Sequence, residues 1–135
     1  MLQDGTVSCW GRGAQGQLGR PFDGNVGASA VAGLAAAVQI VAGEHHSCVL
    51  LQDGSARCFG DNRSGQLGDG SLNTAFAPRA VLQNNILGLA AGQAYTCALL
   101  HDRTLQCWGG NDTGQLGSGG KLAVLRARPV ALSCP

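Results

Sequence analysis

A gapless repeat of 49 residues constrains this chain more than any other feature of its sequence. The tetrapeptide Gly-Gln-Leu-Gly occurs at residues 16–19, 65–68 and 114–117, with successive copies 49 residues apart. The same offset aligns the Cys-Trp-Gly at residues 9–11 with residues 58–60 and 107–109. A fixed period of this length is typical of repeat architectures, in which each unit is one supersecondary structure and neighbouring units share a core.

The local sequence of one unit predicts short β-strands joined by glycine-rich turns. Apolar residues recur at every second position over residues 38–42, and a hairpin follows, with arms at residues 46–51 and 55–59. An outer strand is predicted at residues 79–82. A helix over residues 35–37 is rejected, because the equivalent stretch of the next unit is Asn-Asn-Ile, a poor helix former.

The hairpin turn and the long loops differ among the units. Gly54 supplies the left-handed conformation that a three-residue turn needs, but Arg103 stands at the equivalent position of the next unit. We therefore expect the turn at Arg103 to be strained or differently built. Long variable loops are predicted at residues 20–23, 71–76 and 121–125.

The full repeat pattern reads L-x-D-G-x-x-x-C-W-G-x-x-x-x-G-Q-L-G, then P-x-x-V, then A-G-x-x-H-x-C-x-L. It resembles the regulator of chromosome condensation repeat, in the cysteine-containing form associated with exported bacterial proteins. The resemblance implies an all-β fold of β-propeller blades, each a four-stranded antiparallel sheet, in a ring of about seven. The chain would hold about two and three-quarter repeats, with frames near residues 1–49, 50–98 and 99–135.

A partial propeller of this kind would leave strand edges unpaired at both ends. Two interpretations follow from the sequence. The chain is a fragment of a larger propeller, or it completes its blades by assembling with copies of itself as a homo-oligomer.

Four of the six cysteines recur at one spacing, C-x9-C, which places them opposite each other on the two hairpin arms. The predicted disulfides join Cys48 to Cys58 and Cys97 to Cys107. Free buried thiols and a metal site are the alternatives, although zinc sites usually use closer cysteine pairs. Disulfides would indicate an extracellular, periplasmic or cell-surface location, although the first residues show no signal-peptide pattern.

Charge and motifs exclude several classes of function. Nine Lys and Arg against eight Asp and Glu give a net charge of +1, which gives no reason to expect nucleic acid or a membrane as partner. The G-x-G-x-x-G at residues 11–16 lacks a following helix, so no dinucleotide site is expected. The sequence offers no catalytic motif, no cofactor site and no metal-ligand spacing.

The sequence therefore predicts a non-catalytic module that binds an unknown protein partner through positions that vary over a constant frame. The candidate contact residues are Glu44, His45, Gln93, Arg20, Phe22, Asn73, Phe76 and Lys121. His46 is expected to have a hydrogen-bonded structural role, which Tyr95 could replace in the next unit.

Three alternatives stay open. The resemblance extends to a guanine-nucleotide exchange factor for a small GTPase and to a β-lactamase inhibitor, and the first implies an exchange-factor-like regulator. A structural cell-surface repeat and an enzyme with a site in the propeller channel are the other two.

Overall fold

The computed structural model describes residues 3–21 and 27–130, and within them the chain forms ten β-strands and no helix. Phe22 and Cys134 lie outside the described residues. The strands are β1 (Ser8–Cys9), β2 (Ser29–Ala30), β3 (Ala37–Ala42), β4 (His46–Leu51), β5 (Ala56–Gly60), β6 (Ala75–Ala80), β7 (Ile86–Ala91), β8 (Tyr95–Leu100), β9 (Leu105–Gly109) and β10 (Val124–Pro129).

The strands form two four-stranded antiparallel sheets in chain order, which we call blade 1 (β3 to β6) and blade 2 (β7 to β10). The short strands β1 and β2 pair with each other in a separate two-stranded sheet, the leading unit. This arrangement confirms the predicted all-β fold of four-stranded propeller blades. No helix of the described residues is long and apolar enough to cross a membrane.

The central hairpin of each blade agrees with its sequence prediction. In blade 1, Cys48 lies opposite Cys58, and in blade 2, Cys97 lies opposite Cys107. The Sγ atoms of both pairs are at disulfide-bonding distance, 2.10 Å and 2.02 Å. The structure thus brings the four cysteines together in the predicted pairing.

The predicted outer strand at residues 79–82 is wrong in its bounds. β6 starts at Ala75 and β10 at Val124, both inside segments that the sequence marked as loops. Ala75 is buried and pairs with Gly60 after a register shift in β5. Tertiary pairing, rather than local alternation, decides where the outer strands begin.

The two hairpin turns share one backbone conformation despite their different residues. Gly54 has φ 79° and Arg103 has φ 68°, so Arg103 adopts the left-handed conformation that an L-residue disfavours. Of the two expected outcomes, the strained turn is the one observed. Asp53 and Asp102 stabilise the turns, because each accepts hydrogen bonds from the backbone N–H and hydroxyl two residues on.

The units pack through contacts between the first two Gly-Gln-Leu-Gly loops and the unit that follows each of them. A Cβ on Gly68 would lie 2.5 Å from Nε1 of Trp108, which donates to the Gln66 carbonyl at 3.0 Å. Gln39 adds a second link, because its amide bonds both the N–H and the C=O of Leu89 in β7 at 2.8 and 2.9 Å. The apolar core therefore lies between the blades as well as within them.

Each blade also has one buried asparagine that holds the loop after its central hairpin. Asn62 accepts from Leu67 N–H and donates to Asp69 and Ser71, and Asn111 accepts from Leu116 N–H. Both side chains are fully buried. Each of these asparagines begins an Asn-x-Ser/Thr triplet, which is the pattern of an N-glycosylation acceptor. Their buried side chains have a structural role instead.

Candidate functional site

A polar groove of about 480 Å³ lies between the two blades, on the side where the inner turns of β3–β4 and β7–β8 meet. The inner turns and the segments after β5 and β9 supply its walls. The lining residues are Glu44, His45, Asp61, Arg63, Ser64, Gln66, Gln93, Ala94, Gly110, Asp112 and Gln115. We call this surface the inter-blade groove.

Glu44 and Gln93 join the two sides of the groove. The backbone N–H of Glu44 donates to the carbonyl of Gln93 at 3.1 Å, and Gln93 Nε2 donates to Glu44 Oε2 at 2.7 Å. His45 lies beside them, with Nε2 3.6 Å from Glu44 Oε1. Three of the predicted contact residues therefore share one surface.

An ion pair occupies the blade 1 wall of the groove. Arg63 Nε donates to Asp61 Oδ1 at 2.9 Å, and the guanidinium reaches Gln15 of the preceding loop at 3.4 Å. Burial raises the pKa of the Asp61 carboxyl, but the hydrogen bonds and charge of Arg63 outweigh that effect and the pKa lies below its ordinary value. The positive charge of Arg63 is thus largely neutralised by Asp61.

Two carboxylates give the groove its unbalanced charge. Asp112 is exposed and makes no hydrogen bond or ion pair with any described residue, and Glu44 is bonded only to Gln93 and His45. With Arg63 already paired, the accessible groove has an excess of negative charge and of amide and carboxylate acceptors. Such a surface attracts cations and hydrogen-bond donors.

His46 follows His45 in the chain but does not line the groove, and it has the hydrogen-bonded structural role that the sequence predicted. Its side chain is 1% exposed, and Nε2 lies 2.9 Å from Thr96 Oγ1 in blade 2. Burial lowers the pKa of His46 to about 4, partly offset by the Asp61 charge, so the imidazole is neutral at pH 7. Tyr95, at the equivalent position, lies over Gly92 and makes no hydrogen bond with the described residues. Because the partner of His46 belongs to the following unit, the replacement of this hydrogen bond by tyrosine stays a prediction.

The remaining predicted contact residues lie away from the groove. Asn73 and Lys121 are exposed on outer loops, and Arg20 is half-buried. Phe76 lies on β6 and packs near Gly16 of the leading unit, with 42% of its surface exposed. Phe22 falls outside the described residues. Three of the predicted contact residues therefore line the groove, and the other described ones lie outside it.

The sequence analysis missed Asp61, Arg63 and Asp112 as groove residues. The repeat offset contained the signal, because Ala14, Arg63 and Asp112 occupy one position of the repeat and carry three different charges. Asp61 belongs to a second variable position, shared with Arg12 and Gly110. Variation over a constant frame thus marks both positions, but only the structure shows that these residues line one groove with Glu44. Within residues 3–21 and 27–130, no group of three His, Cys, Asp or Glu side chains could hold a metal ion.

Family models match the middle of the chain. Two models of the Regulator of chromosome condensation (RCC1) repeat match, one over residues 37–66 and the other over residues 53–99. These segments cover blade 1 and the first strands of blade 2. No curated protein matches the sequence.

Solved structures match almost the whole chain. Prp20p from Saccharomyces cerevisiae, described with its binding properties to Gsp1p and histones, superposes with TM-score 0.86 at 22% identity over 96% of this chain. Human WBSCR16 gives 0.85 at 24% over 98%, and yeast RCC1 (Prp20) bound to Kap60 gives 0.80 at 24% over 96%. This chain covers 35%, 36% and 34% of those three chains, so it spans about a third of their length. At these identities the likeness establishes the fold.

Proposed function

We propose that this chain, which carries regulator of chromosome condensation repeats, is a non-catalytic protein-binding module whose contact surface is the inter-blade groove. One observation supports the proposal most directly. The side chains that vary between repeats, at positions 44, 45, 61, 63 and 112, line one groove, while the buried Asn, Gly and Leu positions that build the blades recur. A fixed scaffold with variable residues gathered on one surface is the usual arrangement of a recognition site.

The chemistry of the groove indicates the kind of segment that it binds. Glu44 and Asp112 supply negative charge, and the Gln93 and Gln115 amides supply hydrogen-bonding groups. A volume of about 480 Å³ holds a few side chains rather than a folded domain. The partner would therefore present a loop or extended segment with Lys or Arg side chains, which complementary charge would orient.

The solved structures support the class of function and no finer detail. Prp20p is described with binding to Gsp1p and histones, and yeast RCC1 with Kap60, so propellers of this type bind proteins. Exchange-factor activity rests on the family resemblance alone. The two cysteine pairs at disulfide-bonding distance support an oxidising, extracytoplasmic compartment for the module.

The experiment that tests the proposal compares two double variants at opposite ends of the strands. His45→Ala with Asp112→Ala removes two groove side chains. The matched control, Gln52→Ala with His101→Ala, removes two side chains that line a different depression, near the β4–β5 turn. Each immobilised protein is incubated with a host extract, and the bound proteins are quantified by mass spectrometry.

We expect the groove variant to lose a specific basic partner that the wild-type protein and the control both retain. Equal recovery with all three proteins would contradict the proposal and would favour a structural role for the repeats. Circular dichroism of each variant verifies that the blades remain folded.

A further inference from the structure

Within the described residues, each Gly-Gln-Leu-Gly loop that precedes another unit packs on that unit in the same way. Gly19 faces the ring of Phe59, and Gly68 faces the indole of Trp108. Both aromatic side chains are completely buried. The first glycine of each loop lies against the outer strand of the next blade, because a Cβ on Gly16 would be 2.6 Å from the Ala75 carbonyl. The junction is therefore a structural motif that the chain forms twice.

The third loop has no following unit among the described residues, and Val130 of the same blade is the neighbour of its last glycine, Gly117. A Cβ on Gly114 would meet no atom within 4 Å, whereas Gly65, its equivalent, lies 2.6 Å from Leu125 by the same measure. Leu99 on β8 is 39% exposed, whereas its equivalent Leu50 is 4% exposed. We call this surface, defined by Leu99 and residues 114–117, the trailing face.

The complementary half of the junction is exposed on the leading unit. Trp10 stands at the position of Phe59 and Trp108, yet 67% of its surface is exposed. Arg12 beside it is exposed and has no hydrogen bond or ion pair with the described residues. We call this surface, defined by Trp10 and Arg12, the leading face.

We propose that the trailing face of one chain binds the leading face of a second copy, with Trp10 seated on the Gly114–Gly117 loop. Inside the chain, each of the first two Gly-Gln-Leu-Gly loops packs against the aromatic residue that follows the second hairpin cysteine of the next unit. Trp10 occupies that position in the leading unit. The charges also match. Arg12 and Asp112 are repeat equivalents of Gly110 and Arg63, which line one groove, so the docked chains bring Arg12 opposite the unpaired Asp112.

The contact is head-to-tail, because each copy supplies a different face. Such heterologous contacts form a closed ring when the rotation closes and an open chain when it does not. The junction between copies is smaller than the internal one. Gln39 bonds the Leu89 backbone inside the chain, but Gly88 stands at the equivalent position of blade 2 and has no side chain to repeat the link. We therefore expect association that depends on protein concentration.

The proposal is tested with two variants, each of which disrupts one face, and with a mixture of the two. Trp10→Asp disables the leading face, and Leu99→Asp disables the trailing face. The control variant Leu122→Asp changes a leucine that is 85% exposed and lies in neither face. The molar mass of each protein, and of an equimolar mixture of the two face variants, is measured by light scattering across a concentration series.

We expect wild-type protein and Leu122→Asp to form multimers. Each face variant alone should be monomeric, with association weakened about 30-fold or more, as for an interface hot spot. The mixture should form a 1:1 heterodimer, because one intact leading face and one intact trailing face remain. Circular dichroism confirms that the monomeric variants are folded.

Two results would overturn the proposal. Wild-type protein that stays monomeric at all concentrations shows that the two faces do not bind each other between copies, as when further repeats of the same polypeptide cover them. Face variants that remain multimeric, or a mixture that stays monomeric, show that any self-association uses another surface. All four proteins in the light-scattering experiment keep Asp112, so its result does not depend on the outcome of the groove experiment.

Discussion

Blade 1 and blade 2 have the same strand order and the same cysteine pairing, but three of their structural positions hold different chemistry. The differences are Phe59 against Trp108, His46 against Tyr95, and Gly54 against Arg103. Each pair occupies one place in the fold. The comparison shows that the repeat fixes the backbone, whereas the bonding at each place varies.

The consequences of the three exchanges differ in size. Trp108 adds an Nε1–H bond to the Gln66 carbonyl, which Phe59 cannot form. His46 bonds Thr96 in the neighbouring blade, whereas the Tyr95 ring packs over Gly92 and has no hydrogen bond with the described residues. Arg103 retains a backbone conformation that suits glycine. Relative to blade 1, blade 2 therefore has one more hydrogen bond at its core aromatic residue and a less favourable backbone conformation in its turn.

The largest expected effect tests the aromatic positions. Trp108→Ala should lower the free energy of unfolding by about 3–5 kcal/mol, because it removes a fully buried side chain and its hydrogen bond. Phe59→Ala should cost about 1 kcal/mol less, since no hydrogen bond is lost. Urea unfolding followed by circular dichroism measures both. A smaller loss of unfolding free energy for Trp108→Ala than for Phe59→Ala would show that the extra hydrogen bond of Trp108 does not stabilise blade 2.

The next effect tests the histidine. The pKa of His46 is about 4 in the folded protein and 6.5 when unperturbed, so between these values the unfolded state binds more protons and stability rises with pH. About 3 kcal/mol present above pH 6.5 should be lost as the pH falls to about 4. His46→Tyr should flatten this part of the curve. An unchanged slope in the variant would assign the pH dependence to other groups.

The disulfides should contribute similarly to the two blades, but their sites differ in burial. Each joins residues 10 apart at one register, so the loop-closure contribution of either should be below about 3 kcal/mol, because the hairpin already restrains the short loop. Serine replacement should cost more in blade 1, because Cys48 and Cys58 are fully buried whereas Cys97 is half-buried, and burying a hydroxyl without a partner is unfavourable. Urea unfolding of Cys48→Ser/Cys58→Ser and Cys97→Ser/Cys107→Ser checks the order. Alkylation of all the cysteines in unreduced, unfolded protein would instead show that the pairs are thiols.

The smallest effect concerns the turns. Arg103→Gly should stabilise the protein by about 0.5–1 kcal/mol, because glycine adopts φ 68° without the steric cost that an L-residue bears. The reverse change, Gly54→Arg, should destabilise blade 1 by a similar amount. Thermal unfolding of both variants compares them. A loss of stability in Arg103→Gly would show that the arginine side chain contributes more than the backbone conformation costs.

Much of the fold follows from the repeat. A motif that recurs without gaps predicts its own secondary structure three times, so the hairpin arms at β4 and β5 and the pairing of Cys48 with Cys58 could be found without coordinates. Glu44, His45 and Gln93, which the structure places in one groove, could also be singled out, because they vary beside a constant turn. Residue differences at equivalent positions of a repeat can be read from the sequence alone.

The outer strands and the walls of the groove could not be found in this way. β6 and β10 begin where β5 and β9 offer unpaired backbone groups, and the alternation of their residues does not mark that point. Asp61 and Arg63 vary over the repeat frame, as many other loop residues do, so variation alone does not place them in a groove. Their place opposite Glu44 depends on how two blades stack.

The sequence by itself determined the blade, its hairpin, its cysteine pairing and its repeat length, because each of these rests on contacts between residues close in the chain. Only the tertiary structure decided which loop covers which aromatic ring, which charges share the groove, and that Trp10 is exposed while Trp108 is buried. Those outcomes depend on packing between units 49 residues apart, and a repeated sequence gives equivalent residues the same local signal whether or not a neighbouring unit covers them.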